Sequence, residues 1–147
     1  MSQSYVLDTS TLLHLIRGRD LGQQIDHSYG LRASLYRHNV SIVTHGEMYA
    51  LAGRNGWGEN KIAVLARALA ELVTVNVDSR IIIEAYVEIE TACRNSPGGE
   101  RKMGHNDMWI AATSLITGLP LITTDKDFNH LNGQLIQVLW IDPTLIG

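Results

Sequence analysis

The chain has 147 residues, 45% hydrophobic and 18% charged, which excludes general disorder and fits one domain over residues 1–147. Twelve Lys and Arg against fifteen Asp and Glu leave a charge of −3, so no global basic bias announces nucleic acid and no acidic tail announces a solvating segment. One cysteine, Cys93, excludes an internal disulfide and a multi-Cys zinc site and favours a reducing compartment.

Tyr5-Val6-Leu7 reads as a short strand stopping at Asp8. Leu12, Leu13, Leu15 and Ile16 mark a helix ended at Gly18, whose missing Cβ permits a left-handed exit. Residues 20–38 read as helical, with Leu21, Ile25, Leu35 and Tyr36 apolar. Val40 to Val43 reads as a second strand and His45 to Ala52 as a short helix, before the glycine-rich loop 53–58. Ile62, Leu65, Leu69 and Leu72 recur at steps of three and four, the clearest amphipathic helix in the chain. Val73 to Val77 is a third strand, and Asp78 is placed to cap a helix with the stripe Ile82, Ala85, Tyr86 and Ile89. After the Ser96-Pro97-Gly98-Gly99 loop, Asn106 opens a helix carrying Trp109, Ala112 and Leu115. Leu121-Ile122 and Leu135 to Ile141 are the last strands.

Short apolar strands separated by helical patterns predict an α/β fold, with a mostly parallel five-stranded sheet covered on both faces. Right-handed crossovers then place every strand exit on one edge, where ligands of open α/β sheets bind. No apolar run approaches the ~18 residues that span a bilayer. The start Met1-Ser2-Gln3-Ser4 carries no cationic region and Asp8 interrupts any signal core, so a soluble, cytoplasmic protein is expected.

Acids stand at those exits. Asp8 follows the first strand, Glu47 lies just past the second, Asp107 is in the first turn of the Asn106 helix, and Asp125 and Asp127 follow Leu121-Ile122. Converging carboxylates raise one another's pKa unless a cation neutralises them. Oxygen-only ligands suit Mg²⁺ or Mn²⁺ rather than Zn²⁺. Asp8, Asp107 and Asp125 are therefore expected close enough to share an ion. Removing Asp8, Glu47, Asp107 and Asp125 takes the charge from −3 to +1, so a metal-loaded site tolerates a polyanion. Each acid also has a structural reading. Asp8 can be an N-cap, Glu47 the partner of Thr44 in a capping box, Asp107 a dipole-complementing residue, and Thr124-Asp125-Lys126-Asp127 a turn.

The segments Tyr5-Val6-Leu7-Asp8-Thr9-Ser10, Thr44-His45-Gly46-Glu47-Met48, Asn106-Asp107-Met108-Trp109-Ile110-Ala111-Ala112 and Thr123-Thr124-Asp125-Lys126-Asp127-Phe128 resemble, in order and spacing, those of PIN-domain proteins, in particular the VapC-like toxin ribonucleases. The resemblance implies a three-layer α/β/α fold with strand order 3-2-1-4-5 and a Mg²⁺- or Mn²⁺-dependent endonuclease acting on RNA. It implies that Asp8, Glu47, Asp107 and Asp125 form the acidic site, with Asp127 a variable fifth and Thr9 and Thr124 as supporting residues. It also implies homodimers and, for toxins, a cognate antitoxin.

Arg101 and Lys102, in the loop before Asp107, are candidates for substrate phosphates; as solvated loop residues they need no function. Trp57 can stack on a base or pack under the helix that follows it, whereas Trp109 and Trp140 read as core. The six histidines show no metal spacing. Two rival readings stand. A haloacid-dehalogenase-type phosphatase also has an Asp after its first strand, but Ser10 occupies the place of its second Asp. A non-catalytic binding module of the same fold is the other.

Overall fold

The computed structural model describes residues 3–144; Met1 and Ser2, half of the Met1-Ser2-Gln3-Ser4 start, lie outside it. Five strands form one sheet of order β3-β2-β1-β4-β5, every neighbouring pair parallel. The strands are β1 (Val6–Leu7), β2 (Asn39–Ser41), β3 (Val73–Val75), β4 (Leu121–Thr123) and β5 (Val138–Trp140). Between them run α1 (Thr9–Arg17), α2 (Asp20–Tyr29), α3 (Ile42–Arg54), α4 (Glu59–Ala70), α5 (Arg80–Arg94) and α6 (His105–Thr117), with a 3-10 helix at Lys126–Leu131.

Successive residues of a strand point to opposite faces, and the core divides accordingly. Val6 and Leu121 pack with Ile82, Ile89, Ile110, Ala111 and Phe128 under α5, α6 and the 3-10 helix. Leu7 and Ile122, their chain neighbours, pack with Ile25, Leu31 and Val40 on the α2 side. A third cluster, Leu12, Met48, Leu65 and Leu69, ties α1 to α3 and α4. Burial on both faces explains why the strands read as unbroken apolar runs. The three-layer α/β/α architecture and strand order agree with expectation.

Several boundaries do not. Gly30, at φ +60°, ends α2 in the left-handed conformation, so residues 31–38 are not helical. Leu35 and Tyr36, 87% and 61% exposed, do not extend the apolar stripe. Ser41 ends β2 and caps α3, its Oγ accepting from the Val43 amide at 3.1 Å, which makes Ile42 and Val43 the first helical residues rather than the last of a strand. Their β-branched character is overridden by the cap. Ser79, not Asp78, caps α5 by accepting from the Ile82 amide. Gly104 precedes α6, which starts one residue before Asn106. Trp140 is 39% exposed on edge strand β5, and its indole N–H donates to the Thr124 carbonyl at 3.1 Å, so it is not core. Trp57 packs against the α1–α3–α4 cluster with Lys61 Nζ 4.2 Å from its ring centroid. His38 is a satisfied core histidine: it accepts from the Tyr5 amide, and its other ring nitrogen lies 2.9 Å from the Leu31 carbonyl.

The α1–α2 contact depends on a missing side chain. A Cβ on Gly22 would stand 2.1 Å from the His14 carbonyl oxygen, whereas one on Gly46 in α3 meets nothing within 4 Å. Gly22→Ala is expected to cost about 2 kcal/mol or more, because backbone must move. Gly46→Ala should be neutral or stabilise by about 0.5–1 kcal/mol. Urea midpoints of the two variants check this, and equal midpoints would contradict a rigid α1–α2 contact.

Candidate active site

In an all-parallel sheet every strand leaves at the same edge. The order 3-2-1-4-5 sends the chain outward from β1 through β2 to β3 and then back to β4, so the crevice opens between β1 and β4. Asp8 follows β1 and Asp125 lies two residues beyond β4.

Asp8 is 3% exposed and caps α1, accepting from the Thr11 amide at 2.9 Å. The structural reading of this residue is therefore correct, but the cap uses only part of the carboxylate. Ser10 Oγ lies 2.8 and 3.0 Å from its two oxygens, and Thr123 Oγ donates to Oδ2 at 2.5 Å. Thr124 Oγ donates to Ser10 Oγ at 2.9 Å, so the β4 exit is hydrogen-bonded to the β1 exit through hydroxyls. The Asp125 amide donates to Thr123 Oγ at 2.9 Å, and Asp125 Oδ1 in turn caps the 3-10 helix by accepting from the Asp127 amide at 2.9 Å.

Glu47 is not the partner of a capping box. Ser41 starts α3 earlier than expected, which places Glu47 in the second turn with its carboxylate free of the helix end. Oε1 accepts from Thr9 Oγ at 2.6 Å, and Oε2 accepts from the Asn106 amide nitrogen at a long 3.4 Å. Asn106 and Thr9 thus draw Glu47 from α3 toward the start of α6 and the start of α1. Asp107, in the first turn of α6, is half-buried.

Electrostatics shows which of these acids meet. The Asp107 carboxyl is pushed up to about 6, first by burial and then by the negative charges of Asp125, Glu47, Asp8 and Asp127. The other four acids singled out in the sequence therefore lie within electrostatic reach of Asp107, and among the described residues no cation lowers its pKa. Burial also pushes the Asp8 carboxyl up, opposed by the hydrogen bonds from Thr123, Thr11 and Ser10.

Among the described residues no three His, Cys, Asp or Glu side chains are already arranged to hold a metal ion. The expected sharing geometry is thus not closed: Asp8 is turned into its hydroxyl partners, and Asp125 onto the Asp127 amide. The donor chemistry nevertheless fits a hard divalent ion, since the cluster offers only oxygen and is uncompensated.

Sequence reasoning missed Ser10, Thr123 and Asn106 as supports. The signal available was a hydroxyl or amide residue flanking each acid, in Asp8-Thr9-Ser10, Asn106-Asp107 and Thr123-Thr124-Asp125. Arg101 and Lys102 line a polar cleft whose wall includes Asp127 but none of Asp8, Glu47, Asp107 and Asp125.

The PIN domain family model matches residues 5–134. The chain belongs to the PIN-domain family. PIN domains are generally nucleases, enzymes that hydrolyse phosphodiester bonds. No curated relative matches by sequence. Among solved structures, this PIN domain is similar in fold to VapBC2 from Rickettsia felis bound to a promoter DNA fragment (TM-score 0.75, 18% identity, 95% of this chain and 100% of that one). It is similar also to DNA-bound VapBC from Salmonella typhimurium (TM-score 0.72, 18% identity, 95% and 98%). VapBC-5 of Mycobacterium tuberculosis, from a toxin–antitoxin family, matches at TM-score 0.65 and 23% identity over 94% and 98%.

The like-charge cluster has a consequence for stability. The folded-state value of about 6 for Asp107 exceeds the ordinary 3.8, so the native state holds this proton more tightly than the unfolded chain. Stability from this group is therefore full below about pH 4, declines between about pH 4 and 6, and is lost above. In EDTA at neutral pH, Asp107→Asn should stabilise the protein by on the order of 1 kcal/mol, the partial exposure of the group reducing the effect. The thermal midpoint should rise by about 3 °C, and the gain should vanish at low pH. A variant that melts lower than wild type at neutral pH would refute the repulsion.

Proposed function

We propose that the protein is a divalent-metal-dependent endoribonuclease and the toxin of a toxin–antitoxin pair, acting in the cytoplasm. The observation that carries this reading is the half-buried carboxyl of Asp107, pushed up to about 6 by burial and by the negative charges of Asp125, Glu47, Asp8 and Asp127. In this reading Asp8, Asp107 and Asp125 hold Mg²⁺, with Mn²⁺ as a substitute, and Glu47 lies alongside. The bound ion supplies a water of lowered pKa and stabilises charge on the phosphoryl oxygens.

The chain's own residues have distinct tasks. Thr123 and Ser10 fix the Asp8 carboxylate so that its orientation does not depend on the ion. Thr9 holds Glu47 by one oxygen, in position to accept a proton from the attacking water. Asp127, exposed on the 3-10 helix, is the alternative acceptor. Thr124 joins the two sides of the crevice through Ser10. No protein nucleophile is required, and in-line attack leaves a 5′-phosphate and a 3′-hydroxyl.

The phosphatase reading is disfavoured by Ser10, which hydrogen-bonds to Asp8 where that chemistry needs a second acid. A non-catalytic module would have no use for a half-buried carboxyl raised further by the charges of four other acids. An antitoxin is supported by an apolar groove of about 530 Å³ along α1 and α4, lined in part by Leu12, Leu15, Ile16, Leu35, Tyr36 and Val64. A homodimer is supported by the exposed Ile81, Ile83 and Val87 on α5.

Incubation with structured RNAs in Mg²⁺ or Mn²⁺ should give cleavage that EDTA blocks. Asp107→Asn and Asp125→Asn should reduce the rate at least about 100-fold, the scale of several kcal/mol of lost charge stabilisation. Asp8→Asn is the poorer probe, because it also removes the acceptor of Thr123. Cleavage at full rate by folded Asp107→Asn, or hydrolysis of a chromogenic phosphomonoester instead of RNA, would overturn the reading.

A further inference from the structure

A cleft of about 750 Å³ lies beside the acidic cluster, and of the residues given a catalytic task only Asp127 lines it. One wall is the loop Glu100, Arg101 and Lys102; the other is the start of the 3-10 helix, with Lys126, Asp127, Asn129 and His130. No apolar side chain lines it. Arg101, Lys102 and Lys126 form no salt bridge among the described residues, where the three ion pairs are Arg32–Asp26, Arg80–Glu84 and Arg94–Glu90. Lys126 has the exposed Asp142 in its neighbourhood.

The loop is not a loose strap. The Arg101 amide donates to the Cys93 carbonyl at 2.8 Å, anchoring one wall to the end of α5. The other wall is anchored to the same residue, with His130 Nε2 3.2 Å from Cys93 Sγ. Burial and then the positive charge of Arg101 hold the His130 ring below its ordinary pKa, opposed by Asp127. The cleft carries three cations, Arg101, Lys102 and Lys126, against two acids, Glu100 and Asp127.

Asp127 lines this wall, and its amide donates to Asp125 Oδ1 at 2.9 Å, so the cleft adjoins the carboxylate crevice. A chain whose reacting phosphate sits at the acids has its neighbouring phosphates in the cleft. Polar walls without apolar anchors suit a phosphodiester backbone and offer no seat to an amphipathic helix. We propose that this cleft is the track for the single-stranded RNA flanking the scissile bond, with Arg101, Lys102 and Lys126 on its phosphates. The proposal rests on the nuclease reading for its orientation.

The test compares Arg101→Gln/Lys102→Gln/Lys126→Gln with a control of equal charge loss, Arg17→Gln/Arg19→Gln/Arg54→Gln, whose three arginines are exposed at helix ends and do not line the cleft. Binding of a short fluorescein-labelled single-stranded RNA is followed by anisotropy in EDTA at several salt concentrations. The cleft variant should weaken binding at least about tenfold and lower the slope of log affinity against log salt by about two, near 0.7 for each phosphate no longer neutralised. The control should retain the wild-type slope, and KM for RNA cleavage should rise only in the cleft variant. Equal losses in both variants, or none in the cleft variant, overturn the proposal. So does a polyglutamate peptide that competes as well as RNA, since the cleft then serves an acidic protein segment. Wild-type protein that shows the binding signature but cleaves no RNA overturns the nuclease reading and leaves the cleft standing. Cleavage with unchanged KM in the cleft variant does the reverse.

Discussion

A half-buried carboxyl set among other acids gives this site its character. Burial first, and then the charges of Asp125, Glu47, Asp8 and Asp127 from three other chain segments, drive the Asp107 carboxyl up to about 6. A fold tolerates such a group only if the rest of the structure overrides it, and here the override is the buried parallel sheet. β1 and β4 are adjacent and their side chains are buried, so Asp8 and Asp125 cannot drift apart without breaking the central strand pair. The same constraint makes the site receptive to a cation, because an ion relieves a strain that the scaffold will not.

Hydroxyl groups make the arrangement compatible with folding. A buried carboxylate is costly unless its oxygens are hydrogen-bonded. Thr123, Ser10 and the Thr11 amide supply those bonds for Asp8, and Thr9 does so for Glu47. These donors belong to residues adjacent to acids in the sequence, so each acid arrives at the crevice with its own support or that of a neighbouring strand. Positive charge is kept out of the crevice and placed in the adjoining cleft, between α5 and the 3-10 helix, where Cys93 holds both walls. Acids in the crevice adjoin three cations against two acids in the cleft, an arrangement suited to a ligand that needs a metal at one point and charge neutralisation beside it.

Much of the fold was legible in the residues. Unbroken apolar runs such as Leu121-Ile122 and the 3.6-residue stripe Ile62, Leu65, Leu69 and Leu72 reflect burial on two faces and on one, and both signals depend only on local periodicity. Errors fell where a local choice was close. Ile42 and Val43 favour a strand by propensity, yet Ser41 caps a helix that includes them. Residues 31–38 continue a helical pattern in composition, yet Gly30 has already turned the chain. The 3-10 helix Lys126–Leu131 was not anticipated, because six residues are too few for a periodic signal.

The sequence by itself determined which residue types were available and where along the chain they stood: acids after apolar runs, hydroxyls beside the acids, and no cysteine set for zinc. That information is local, and local patterns persist whatever the fold. Only the tertiary structure decided that Glu47 faces Thr9 and Asn106 instead of its own helix terminus, and that Ser10 joins Asp8 to Thr124. It likewise decided that Arg101 and Lys126 line opposite walls of one cleft. Such relations depend on distances between segments dozens of residues apart, which strand pairing and helix packing set and which no neighbouring residues encode.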